Sequence, residues 1–110
     1  MTKAKHITVG GDGVNKVVMG NDLPFALIAG NCQMQSRDLS MKTCEALVKI
    51  CEKLKIGFIF KNSYDKANRN ALEGNRGVGL EYAAAVFDEV RKTFGCPVLT
   101  DTHTEEQAAL

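Results

Sequence analysis

Phe58-Ile59-Phe60-Lys61-Asn62-Ser63-Tyr64-Asp65-Lys66-Ala67-Asn68-Arg69 changes from apolar to polar between one residue and the next. The first three residues, aromatic and β-branched, predict a short buried strand. After them come Lys61, Lys66, Arg69, two asparagines and Ser63. A strand that releases cations and amide donors at its C-terminal end is the arrangement by which α/β proteins hold anions. Lys61 and Lys66 offer point charges, and Arg69 offers a planar fork for a phosphate or carboxylate. Only Asp65 stands among them to neutralise the charge. A solvated loop would carry the same residues, and spacing alone leaves both readings open.

Working outward toward the N-terminus, residues 37–54 have helical periodicity, with Leu39, Leu47, Ile50, Cys51 and Leu54 as the expected apolar face. Ser36 is placed to cap this helix, Asp38 suits its first turn, and Gly57 is expected to stop it. Residues 25–29 form a continuous apolar run that predicts a strand covered on both faces, ending at Gly30-Asn31-Cys32. Further back, residues 5–9 and 16–19 are β-prone and joined through Gly10-Gly11-Asp12-Gly13, which predicts a hairpin over 5–19.

Toward the C-terminus, residues 70–79 form a connection with Arg76 and three glycines. It does not match a dinucleotide-binding glycine motif. Leu80, Ala83, Ala84, Phe87, Val90 and Phe94 then recur at helical spacing, with Gly95 and Pro97 ending the helix. Val98 and Leu99 predict a third strand, followed by Thr100-Asp101-Thr102-His103. Thr104-Glu105-Glu106-Gln107 reads as a capping box opening another helix. A hairpin followed by β-α-β-α-β-α predicts a parallel sheet with right-handed crossovers and both long helices on one side. Three parallel strands leave open edges, so the chain reads as part of a longer protein.

Every polar candidate falls just after a strand. Asn31 and Cys32 follow the first parallel strand, Lys61, Ser63, Lys66, Asn68 and Arg69 the second, and Asp101 and His103 the third. Agreement among three strand ends favours a site over a solvated loop.

Composition bounds the rest. The chain has 110 residues, 45% hydrophobic and 25% charged, which describes an ordinary globular domain. A net charge of +1 argues against a general nucleic-acid binder. No apolar run approaches the roughly 20 residues that cross a bilayer, and the first residues lack a secretory core, so no membrane partner is expected and the reading is cytoplasmic. Cys32, Cys44, Cys51 and Cys96 show no zinc-finger spacing and are expected to be reduced thiols. Cys44 and Cys51, seven apart, predict small core residues. Cys32 differs in standing at a strand end, although a lone cysteine is more often inert than a metal ligand.

Four segments occur in order that together resemble one family. They are Leu27-Ile28-Ala29-Gly30-Asn31-Cys32, the run from Phe60 to Arg69 that includes Lys66-Ala67-Asn68-Arg69, Arg76-Gly77-Val78-Gly79-Leu80-Glu81, and Thr100-Asp101-Thr102-His103. The chain is similar to the N-terminal part of 3-deoxy-D-manno-octulosonate 8-phosphate synthases. The resemblance implies a (β/α)8 TIM barrel, of which residues 1–110 would supply the hairpin (5–19) and the first three βα units, from about 24 to 110. It implies condensation of phosphoenolpyruvate with arabinose 5-phosphate, giving the octulosonate phosphate used for lipopolysaccharide and releasing inorganic phosphate.

By the same resemblance Lys61, Ser63 and Lys66 would hold phosphoenolpyruvate. Asn68 and Arg69 would contact arabinose 5-phosphate, with Arg69 reaching across a subunit boundary of a homo-oligomer, a tetramer. Lys66 and Asp101 would be catalytic, with Asp101 beside the reacting aldehyde. Cys32 matches a position that ligates a divalent metal in one class of the family, with the remaining ligands beyond Leu110; no organic cofactor is implied. His103 is not a ligand in the family pattern. Against that pattern, Asn31 stands for a proline, Gln35 for an acid, and Asn62 and Asn70 for small residues. The sister synthase that uses erythrose 4-phosphate and a non-catalytic phosphate-binding α/β module are the alternatives.

Overall fold

The computed structural model describes residues 5–64, 79–102 and 105. Strands β1 (Ile7–Val9) and β2 (Val17–Met19) pair antiparallel, with Thr8 opposite Val18. The chain continues through β3 (Leu27–Ala29), α1 (Arg37–Leu54), β4 (Phe58–Lys61), α2 (Leu80–Phe94) and β5 (Val98–Leu99). The second sheet runs β3-β4-β5 and is parallel throughout. Hairpin, parallel order and helix positions agree with the sequence. Of the helix expected after β5, only Glu105 is among the described residues, and it is helical. The connection 70–78 lies outside the described residues.

Local chemistry explains the boundaries of α1. Ser36 is extended (φ −154°), and its hydroxyl accepts a 3.2 Å hydrogen bond from the Leu39 amide. The helix ends at Lys55, not through Gly57: Lys55 itself adopts the left-handed conformation (φ 57°), and its N–H reaches the Cys51 and Glu52 carbonyls. Gly57 instead makes room, since a Cβ there would sit 2.8 Å from Val17 Cγ1 of the hairpin. At the end of α2 the expected cap is present, with Gly95 left-handed (φ 68°) and donating to the Arg91 carbonyl.

The core lies between the sheet and the two helices. Phe58, Phe60, Leu27, Ala29 and Val98 belong to the apolar cluster that includes Cys44, Cys51, Ala83, Val86, Phe87 and Val90. Burial corrects the expected helix faces. Leu39, Ile50 and Leu54 are exposed, and the core face of α1 is built on Ser40, Cys44 and Cys51 with Met41, Leu47 and Val48 beside them. On α2, Val86 is buried where Ala84 is not. Parallel crossovers bring both helices to one face, where the Arg37 guanidinium forks onto Glu89 and the Arg37 amide donates to the Tyr82 hydroxyl at 2.9 Å. On the other sheet face Ile59 is buried, whereas Ile28 and Leu99 on its flanks are exposed. Phe25 and Ile28 are 69% and 44% exposed, so the first parallel strand is shorter and less covered than its apolar run suggests.

The hairpin crosses the foot of the sheet. The Asn15 amide donates to the Gly95 carbonyl at 2.7 Å, and Val17 packs at Gly57, just before β4. The parallel strands finish at the opposite end.

Candidate functional site at the strand ends

Three strand ends are fastened to one another by backbone. The Met34 amide, after β3, donates to the Ser63 carbonyl at 2.6 Å. The Asn62 amide donates to the Leu99 carbonyl at 3.1 Å, tying the end of β4 to β5. Gly30 admits the close approach of the first two strands: a Cβ built on it would lie 1.7 Å from the Lys61 carbonyl oxygen.

Strand periodicity sorts the side chains at this end. In β4, Phe58 and Phe60 join the helix-side core, so Ile59 and Lys61 face the other way. The registers Ile28–Ile59 and Lys61–Leu99 put Ile28 and Leu99 on that same face. One further step of the alternation past Lys61 and Leu99 reaches Ser63 and Asp101, while Cys32 stands in the bend after β3. Lys61, Ser63 and Asp101 therefore share one parity, and Asn31 and Asn62, bonded to α1, lie on the helix side.

Asn31 and Asn62, on the helix side, form a polar knot against α1. Asn62 is fully buried and donates through Nδ2 to Ser40 Oγ at 2.9 Å and toward Asn31 Oδ1 at 3.5 Å. Asn31 Nδ2 donates to Thr43 Oγ1 at 3.1 Å. Asn62 Oδ1 and Thr100 Oγ1, both buried, have no hydrogen-bond partner among the described residues. The role of Ser40 and Thr43 was missed in the sequence; a serine at core spacing with Cys44 and Cys51 was the available signal. Such a knot holds the loop after β3 against the end of β4.

Four of the predicted site residues lie among the described residues. Cys32 is exposed, Lys61 and Asp101 are half-buried, and Ser63 is fully buried. Lys66, Asn68, Arg69, Asn70 and His103 lie outside the described residues. Among the described residues no three His, Cys, Asp or Glu side chains gather as metal ligands, so Cys32 contributes one donor and does not make a metal site with its described neighbours. No described helix is long and apolar enough to cross a membrane. The arrangement sets the half-buried Lys61 and Asp101 at adjacent ends of a parallel sheet, with the cation suited to an anionic ligand.

Residues 2–110 match the model of the DAHP synthetase I family. Curated relatives called 2-dehydro-3-deoxyphosphooctonate aldolase are similar over most of the chain. The Bartonella quintana protein is 52% identical over 96 residues, covering 87% of this chain and 34% of its own length. The Agrobacterium fabrum protein is 50% identical over 100 residues, covering 91% and 36%. The Rickettsia felis protein is 47% identical over 94 residues, covering 86% and 34%. The chain spans about a third of the length of these relatives.

Proposed function

The chain belongs to the DAHP synthetase I family, and from that membership we propose that it is the N-terminal part of a 3-deoxy-D-manno-octulosonate 8-phosphate synthase. The reaction is an aldol-type condensation of phosphoenolpyruvate with arabinose 5-phosphate that releases inorganic phosphate, in the cytoplasm, for lipopolysaccharide. The observation that carries this reading is the parallel pairing of β3, β4 and β5, which sets the strand ends leading to Cys32, Lys61 and Asp101 side by side. Both substrates are anionic, and the reading gives the C-terminal strand ends, where barrel enzymes act, the cations to receive them. The proposed whole is a (β/α)8 barrel with the hairpin closing its foot. The likeness to relatives named octonate aldolases at about half identity supports the octulosonate reaction over that of the sister synthase.

Within this reading Lys61, Ser63 and Lys66 bind phosphoenolpyruvate, Lys61 through its charge and Ser63 through its hydroxyl. Asn68 and Arg69 hold the pentose phosphate, Arg69 from a neighbouring subunit of a tetramer. Asp101 stands beside the reacting aldehyde, where a carboxylate can hold a proton. Cys32 is one ligand of a divalent metal whose other ligands come from outside the described residues; such an ion would supply Lewis-acid polarisation of the aldehyde.

The test is a phosphate-release assay on the full-length protein, with phosphoenolpyruvate and either arabinose 5-phosphate or erythrose 4-phosphate. Turnover with the pentose phosphate is expected. Lys61→Ala should raise the apparent KM for phosphoenolpyruvate by about 10- to 150-fold, the loss of one charge-assisted hydrogen bond. Turnover with the tetrose alone would assign the sister reaction. Phosphoenolpyruvate binding without turnover would leave a non-catalytic anion-binding module.

A further inference from the structure

The four thiols do not share one environment. Cys32 is exposed at the strand C-terminal end, whereas Cys44, Cys51 and Cys96 are buried. Cys44, on the core face of α1, and Cys96, between the cap of α2 and β5, are 52 residues apart in sequence, yet their sulfurs stand 3.7 Å apart. Cys44 is 0% exposed and Cys96 4%. A bonded pair needs about 2 Å, so the sulfurs have under 2 Å left to close.

A route reaches one of the two. A cavity of about 240 Å³ at the foot of the sheet, between hairpin, α1 and the α2–β5 turn, is lined by Val17, Cys51, Phe58 and Cys96 but not by Cys44. It has room for a water-sized oxidant. The protons of the pair are held unequally. The hydrogen bond to Cys96, and then burial, push the Cys44 thiol up, while the same bond pulls Cys96 below the ordinary thiol value. The sulfur facing the cavity is therefore the better nucleophile, and the enclosed one is its nearest partner.

We propose that Cys44 and Cys96 are an oxidation site, at which a peroxide joins α1 to the α2–β5 turn through a disulfide. The Cys96 thiolate attacks one peroxide oxygen, the O–O bond breaks, and Cys96 becomes a sulfenic acid as the leaving oxygen departs as water. Cys44 sulfur then attacks Cys96 sulfur, the S–O bond breaks, and a second water leaves with the Cys44 proton. Two thiols and one hydrogen peroxide give one disulfide and two waters. The thiols lose two electrons and the peroxide gains them, and a dithiol reverses the change.

The experiment treats full-length protein with hydrogen peroxide in native buffer and in urea, blocks remaining thiols, and maps disulfides by peptide mass spectrometry. A Cys44–Cys96 disulfide should form at least about tenfold faster in native buffer, because folding holds the sulfurs in contact. It should disappear on adding dithiothreitol. In Cys44→Ser the disulfide should be lost and a sulfenic acid on Cys96 should be trapped by dimedone. The wild-type measurement needs no variant to fold. A Cys51–Cys96 disulfide, oxidation confined to Cys32, or pairing no faster in native buffer than in urea would overturn the proposal.

Discussion

Gly30 is the residue on which the strand ends depend. Its missing side chain lets β3 run close to the Lys61 carbonyl, 1.7 Å from where a Cβ would be, and that neighbour is backbone that cannot swing aside. Gly30→Ala should cost about 3 kcal/mol, the upper end for forced overpacking, read as a lower urea midpoint of the full-length protein. An unchanged midpoint would mean that the strand ends stand further apart. At this scale much was readable from the sequence. The Ser36 cap and the Gly95 stop were legible because each residue type answers a local backbone need. The left-handed Lys55 was not, because a non-glycine cap carries no compositional mark. Nor was the pairing of Asn62 with Ser40, which depends on two elements meeting 22 residues apart.

Elements are held at their edges by polar contacts and at their centres by apolar ones. Arg37, in the first turn of α1, forks onto Glu89 of α2, and this hydrogen bond is the main cause holding the Glu89 carboxyl below its ordinary value of 4.5. The sign follows from linkage. A carboxyl with a lowered folded value stabilises the fold above its unfolded value, and that contribution fades as pH falls through the lowered one. Wild type should therefore melt slightly above Glu89→Gln at pH 7, and the two curves should converge in acid, once pH has fallen through the lowered Glu89 value. The gap at neutral pH should be small, since both side chains are well exposed to solvent. A gap that persisted in acid would assign the effect to packing and not to charge. The faces of these helices were only partly legible. Leu39, Ile50 and Leu54 form an apolar stripe on α1 as regular as the buried one, so periodicity offered two faces and the larger residues indicated the wrong one. Small residues, Ser40, Cys44 and Cys51, turn out to line the closer approach to the sheet.

At the scale of the whole molecule, the described residues cover the parallel sheet unevenly. The helices close one face of the parallel sheet and the hairpin crosses its foot, yet Ile28 and Leu99 on the remaining face are 44% and 41% exposed while Ile59 between them is buried. Parallel sheets are found with both faces covered, because crossovers and closure supply cover to each. In the proposed barrel this face is the interior, where side chains from different strands fill one packed layer. The two descriptions differ in what a charge there would cost. On a solvent-facing sheet an aspartate at position 28 would be close to neutral, whereas inside a closed barrel it would be an unpaired buried charge. Ile28→Asp should therefore destabilise the full-length protein by about 3 kcal/mol or more, or prevent its folding. Urea denaturation followed by far-ultraviolet circular dichroism measures this. Stability within about 0.5 kcal/mol of wild type, the range of ordinary surface changes, would rule out a closed barrel around this face.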